Sequence, residues 1–131
     1  MKAYEVQEFG IEQLAVVDRE VPTPGDGEIL VHIRAASLNF RDVMVVSGSY
    51  NPRMRRPSVP LSDAAGEIVH VGPGVTRWKT GDRVCSCVIP AWQGGGPSAA
   101  TAKSAIGAGS DGVGQEYVVF HEDAVVRAPE H

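Results

Sequence analysis

Pro60-Leu61-Ser62-Asp63-Ala64-Ala65-Gly66-Glu67-Ile68-Val69, running on into Val71-Gly72-Pro73-Gly74-Val75, is the stretch on which the fold turns. Residues 64–71 read as a strand, and Gly72-Pro73-Gly74 stops it in a turn. The same grammar recurs on both sides. Residues 28–36 alternate, with Ile29, Val31 and Ile33 on one side and Leu30, His32 and Arg34 on the other, the pattern of a half-buried strand. Pro22-Thr23-Pro24-Gly25-Asp26-Gly27 turns the chain into it. Further strands are expected over residues 2–7, 13–18, 82–89, 116–120 and 124–127. Residues 39–47 predict one or two helical turns, with Asp42 in the first turn, where a carboxylate favours the helix dipole. Many short strands between Gly/Pro turns predict a mainly β domain, a barrel or sandwich.

The 131 residues suit one domain with one core. At 43% apolar and 21% charged, the composition is that of an ordinary globular protein. The formal net charge is −4, and Arg53, Arg55 and Arg56 form the one dense basic group, which argues against nucleic-acid binding. No apolar run reaches the roughly 20 residues that span a bilayer, so no membrane is expected. Met1-Lys2-Ala3-Tyr4-Glu5 carries no apolar core of a signal peptide, and two cysteines are too few for a disulfide framework. A cytoplasmic location is therefore expected.

Residues 91–114 are rich in Gly, Ala and Ser and read as one long loop, with a short helix expected somewhere in 99–106. Its bulky apolar residues are Trp92, Ile106 and Val113. Within it, Gly107-Ala108-Gly109-Ser110-Asp111-Gly112 matches the G-x-G-x-x-G string of dinucleotide sites. That chemistry needs a strand before the glycines and a helix after them; here a loop precedes and a strand comes after, so the string reads as loop. Cys85 and Cys87 would face one side of a strand, but zinc needs three or four ligands and no second pair stands nearby. The βαβ alternation of a Rossmann unit is missing.

Three segments in order, Asn39-Phe40-Arg41-Asp42, the stretch 60–75 and Gly81-Asp82-Arg83-Val84, make the chain resemble the N-terminal GroES-like catalytic domain of the medium-chain dehydrogenase/reductase superfamily. The resemblance covers nearly the whole chain and implies a partly open β-barrel with one or two short helices over residues 1–131, the Rossmann cofactor domain being absent from this chain. Zinc-dependent members carry Cys-His-Thr/Ser-Asp where this chain has Asn39-Phe40-Arg41-Asp42, and Gly-His-Glu where it has Leu61-Ser62-Asp63. Asn39 and Ser62 thus stand at ligand positions, and no zinc is expected. The match to quinone-oxidoreductase-like members rests on Leu38-Asn39, a short helix, Gly48-Ser49-Tyr50, and Pro60 to Gly66, where Leu61 departs from the usual glycine.

The resemblance implies an NAD(P)H-dependent oxidoreductase, NADPH ahead of NADH, that passes hydride to a quinone, enone or carbonyl acceptor. The chain alone would be inactive, with the cofactor held mainly by the missing domain. Asn39 and Tyr50 are the candidate catalytic residues. The Asn39 amide could orient nicotinamide or acceptor oxygen, or cap the helix. Tyr50 could donate to the acceptor oxygen, or be a loop aromatic. Arg41 could reach a cofactor phosphate, or be a solvated helix face. An enoyl reductase cut from a larger synthase, or a non-enzymatic co-chaperonin-like module with a mobile apolar loop, are the alternatives. The expected partners are a small-molecule acceptor and a second copy of the chain, through an apolar flank that includes some of Val43, Val45 and Val46.

Overall fold

The computed structural model describes residues 1–96, 98–108 and 110–130. Strands β1 (Lys2–Val6) and β2 (Leu14–Asp18) form an antiparallel hairpin. Strands β3 (Glu28–Ser37), β4 (Asp63–Val71), β5 (Arg83–Ser86), β6 (Tyr117–His121) and β7 (Val125–Arg127) make an antiparallel sheet in the order β6-β3-β4-β5-β7. Helices α1 (Phe40–Ser47) and α2 (Ala99–Ala102) lie between strands, and short 3₁₀ turns cover Ile11–Gln13 and Glu122–Ala124. The two sheets do not close into one barrel. The hairpin is tied to the rest by bridges at Ala3–Gln115 and Val6–Ser58. Arg19 reinforces it, donating to Glu5 Oε1 at 2.6 and 2.9 Å and to Asp111 Oδ2 at 2.6 Å. The architecture is the partly open, mainly β form that the sequence predicts.

The core gathers Ile29, Val31, Ile68, Val84, Val118, Phe120 and Val125 from the five strands, all buried. The expected alternation of β3 holds: Ile29, Val31 and Ile33 pack on the core, while Leu30, on the other face, is buried outside that cluster. The register with β4 shifts between Leu30 and Val31 and again between Ile33 and Ala35. Each irregularity adds twist and re-aims the residues beyond it, and such features collect beside functional sites. Here they steer the chain into α1. The expected strand 82–89 stops at Ser86, since Cys87 N–H already donates to Ala124 O at 3.0 Å. Cys85 and Cys87 are therefore not successive outward residues of one strand. The helix expected within 99–106 is the single turn of α2, because Ile106 is needed elsewhere: it is buried in the core with its N–H on Val88 O at 3.0 Å.

The long loop is thus anchored. Ile106 and Val113 are both core residues, and of its three apolar anchors only Trp92 is exposed. That leaves little of the mobile apolar loop that a co-chaperonin-like module would need. Of the G-x-G-x-x-G string, Gly109 lies outside the described residues. Gly107 and Gly112 pack on the backbone of Leu61, and a Cβ at Gly112 would overlap the carbonyl oxygens of Leu61 and Pro60.

Glu122 clips β6 to the turn after β4, accepting from the N–H groups of Thr76 and Arg77 at 2.9 Å each. These backbone donors, Arg77 first, hold its carboxyl below the usual glutamate range. A pKa lowered by folding adds stability above the unfolded value, and that stability is lost as pH falls through the folded value. Glu122→Gln is therefore expected to flatten the acid side of the Tm–pH profile while leaving its alkaline side parallel to wild type. Parallel profiles across the whole acid limb would refute the clip.

Candidate active site

β3 ends at Ser37, and Leu38-Asn39 leads directly into α1. Beside this junction the chain returns through Pro60–Ser62 into β4, and Ser37 pairs with Asp63 across the two strands. Register therefore brings Asn39 to Ser62 and Asp63. Asn39 Nδ2 donates to Asp63 Oδ2 at 2.8 Å, and Ser62 Oγ donates to the same oxygen at 2.7 Å. Ser62 is fully buried. The α1 N-terminus is closed by a capping box: the Asp42 carboxylate accepts from Asn39 N–H at 2.8 Å, and the Asn39 side chain faces the Asp42 backbone N–H in return. Asn39 therefore both caps α1 and, through Nδ2, donates to the Asp63 carboxylate. It gives one of two amide hydrogens to Asp63.

Asp42 is buried, and its Oδ1 has no hydrogen-bond partner. It and Asn39 are the polar members of an apolar cleft of about 390 Å³ whose walls include Ile11, Leu14, Leu38 and Val43. Leu38 in its wall is 81% exposed, and Phe40, the first residue of α1, is 79% exposed. Tyr50 is not among the residues lining this cleft. Arg41 lies 4.9 Å from the centre of the Tyr50 ring and donates through both terminal nitrogens to Ile106 O, at 3.1 Å each. Arg41 is half-buried and spans from α1 to the long loop. The structure thus makes two groups of the candidate residues, Asn39 with Asp42, Ser62 and Asp63, and Arg41 with Tyr50. Gly48 ends α1 at φ 82, with Phe9 packed where a Cβ would stand, and so delivers the chain to Tyr50.

Leu61 adopts φ 71, in the left-handed region that costs a residue with a side chain about 1–2 kcal/mol. Its place where relatives favour glycine was the signal for this in the sequence. Asp63 as the shared acceptor depends on the register between β3 and β4, and nothing local in the sequence marks the unpaired oxygen of Asp42.

The two zinc-ligand positions of the family hold an amide nitrogen and a hydroxyl, both donating hydrogen to Asp63, and neither belongs to a donor set that catalytic zinc favours. Among the described residues no group of three or more His, Cys, Asp or Glu is placed to hold a metal ion. The site does not fit zinc.

A bulged antiparallel sheet, with a polar cluster where a strand exits into a short helix, is the architecture of a dehydrogenase barrel domain. Residues 25–130 match the alcohol dehydrogenase GroES-like domain, and the chain belongs to that family, within the medium-chain dehydrogenase/reductase superfamily. It is 38% identical over 123 residues to a zinc-type alcohol dehydrogenase-like protein of Schizosaccharomyces pombe, covering 93% of this chain and 36% of that protein. It is 38% identical over 96 residues to a chloroplastic quinone-oxidoreductase homolog of Spinacia oleracea, covering 72% of this chain and 29% of that one. A crystal structure of an NAD-dependent alcohol dehydrogenase superposes with TM-score 0.83 at 32% identity, over 99% of this chain and 40% of that chain. The chain spans about a third of the length of the curated relatives it matches. Among the described residues no helix is long and apolar enough to cross a membrane.

Proposed function

We propose that this chain is the catalytic barrel of a zinc-independent, NAD(P)H-dependent oxidoreductase that reduces a quinone, enone or carbonyl acceptor. The observation that carries the reading is the Asn39–Asp63–Ser62 cluster. It occupies the positions of the family's metal site with hydrogen-bond donors and opens on an apolar cleft. The nicotinamide supplies the hydride when bound. The residues of this chain hold the acceptor, exclude water through Leu38, Val43 and Leu14, and offer the second Asn39 amide hydrogen to the oxygen on which charge develops. Asp63 orients that amide. Arg41 positions the long loop and the Tyr50 ring, which stands outside the cleft. NADPH is the preferred cofactor by family resemblance. A separate cofactor-binding domain completes the enzyme, and this chain alone is inactive. The free cysteines Cys85 and Cys87 support a reducing compartment such as the cytoplasm.

The test is acceptor-dependent oxidation of NADPH, and of NADH, by the protein extended through a cofactor-binding domain, after exhaustive chelation. Full activity without zinc is expected, and no turnover from residues 1–131. Activity that vanishes on chelation and returns with zinc would overturn the reading.

The exposed side chains at the cleft margin carry a further expectation. Ile11, Leu38 and Val43 around the cleft, and Phe40 beside Leu38 in the chain, are all more than half exposed, whereas Val45 and Val46, expected in this flank, are buried and do not contribute to it. An uncovered apolar flank of this kind favours association. The isolated chain is expected to dimerise at high micromolar concentration, and Phe40→Lys to return it to monomer. A strictly monomeric wild type in sedimentation equilibrium would contradict this.

A further inference from the structure

Leu61 holds a backbone conformation that glycine takes freely and leucine does not. Strain of this kind persists only where the surroundings over-determine it, and it collects at ligand sites. Here the surroundings are specific. Leu61 O accepts from Val113 N–H at 3.0 Å, and Gly107 and Gly112 lie flat against the Leu61 backbone. The long loop therefore fixes the direction in which the Leu61 side chain projects.

That side chain stands between two clefts. One is the cleft of about 390 Å³ with Asn39 and Asp42. The other, of about 420 Å³, is lined by Ile33, Ala36 and Val113 among others. Leu61 and Tyr4 line both. Tyr4 is anchored through its own N–H on Gly114 O at 2.8 Å, so the same loop positions both residues. The Asn39 cleft has polar groups at one end and apolar walls beyond, which suits a ligand with a carbonyl head and an apolar tail.

We propose that Leu61, with Tyr4, is a partition that sets the length of apolar tail the Asn39 cleft accepts, and so selects short-chain ketones or enones over long ones. This rests on the acceptor site proposed above. Leu61 acts on the tail of the ligand and has no role at the reacting atoms. Its left-handed backbone conformation keeps the partition upright, and shortening the side chain joins the two clefts.

The test titrates the isolated chain, at a concentration low enough to keep it monomeric, with straight-chain methyl ketones from butanone to dodecanone, followed by the methyl NMR signals of Val43 and Val46. In the wild type, each added methylene should tighten binding about fourfold until the tail reaches Leu61, after which the gain should stop. In Leu61→Ala the gain should continue for about two further carbons, so that the longest ketones bind about fifteenfold tighter than to wild type. Leu61→Gly should behave the same way. It also relieves the backbone strain, so it guards against a variant that fails to fold. If both variants keep the wild-type cutoff, the partition is wrong and the acceptor site stands. If no ketone moves Val43 or Val46 in the wild type, the acceptor site itself is wrong and the partition falls with it.

Discussion

Asn39→Ala is expected to slow hydride transfer by a factor on the order of 10²–10³ in the protein that carries a cofactor-binding domain, the usual cost of one donor to a developing oxyanion. The loss should fall on kcat more than on KM, because the contact strengthens as charge builds on the acceptor. Stability should fall too, by about 1–2 kcal/mol, since the amide donates to the Asp63 carboxylate. The two effects separate cleanly. Single-turnover hydride transfer reads the first, and the thermal midpoint reads the second. Asp63→Asn serves as the companion variant. It weakens the hold on Asn39 without removing the amide, so it should give a smaller kinetic loss than Asn39→Ala. A lowered midpoint with unchanged turnover in Asn39→Ala would reduce the residue to a structural tie between β3 and β4.

Ile68→Ala is expected to remove about 2–5 kcal/mol of stability, the range for deleting a buried isoleucine side chain to its Cβ. Ile68 has no solvent exposure and sits on β4, the middle strand of the five. Its backbone is also engaged at the turn: Ile68 N–H donates to Asp82 O, and Ile68 O accepts from Gly81 N–H. With strands on both sides, the cavity has little room to collapse. Domains of this kind hold about 5–15 kcal/mol in total, so the variant should lose much of its native population in mild urea. Urea unfolding at constant m-value checks this, and a change under about 1 kcal/mol would mean that the core around Ile68 is loosely packed.

Much of this was legible in the chain. The turns at Pro22–Gly27 and Gly72–Gly74, the strands between them and the helix after Asn39 arise from local chemistry, which period and turn residues report directly. The ends of β5 and α2 were not legible, because each is decided by a distant partner: Cys87 N–H bonds Ala124 O, and Ile106 leaves the helix to fill the core. The site divides in the same way. Asn39 and the lack of zinc ligands stand in the sequence. The shared Asp63 oxygen depends on Ser37 and Asp63 coming opposite each other in the sheet. The grip of Arg41 on Ile106 joins residues 65 positions apart, which no local pattern encodes.

The strand order bears on how the chain is made. Both margins of the five-stranded sheet, β6 and β7, come from Tyr117 to Arg127, while the interior strands β3, β4 and β5 are all synthesised earlier. A nascent chain leaving the ribosome therefore holds β3, β4 and β5 with two bare margins until residues 117–127 emerge. Bare margins recruit other chains. Long-range pairing of this kind also closes slowly. Productive folding must wait for residues 117–127, and ribosome-stalled chains ending before Tyr117 should be bound by chaperones and cut by proteases, whereas chains stalled far enough beyond Arg127 for that segment to clear the ribosome should resist both.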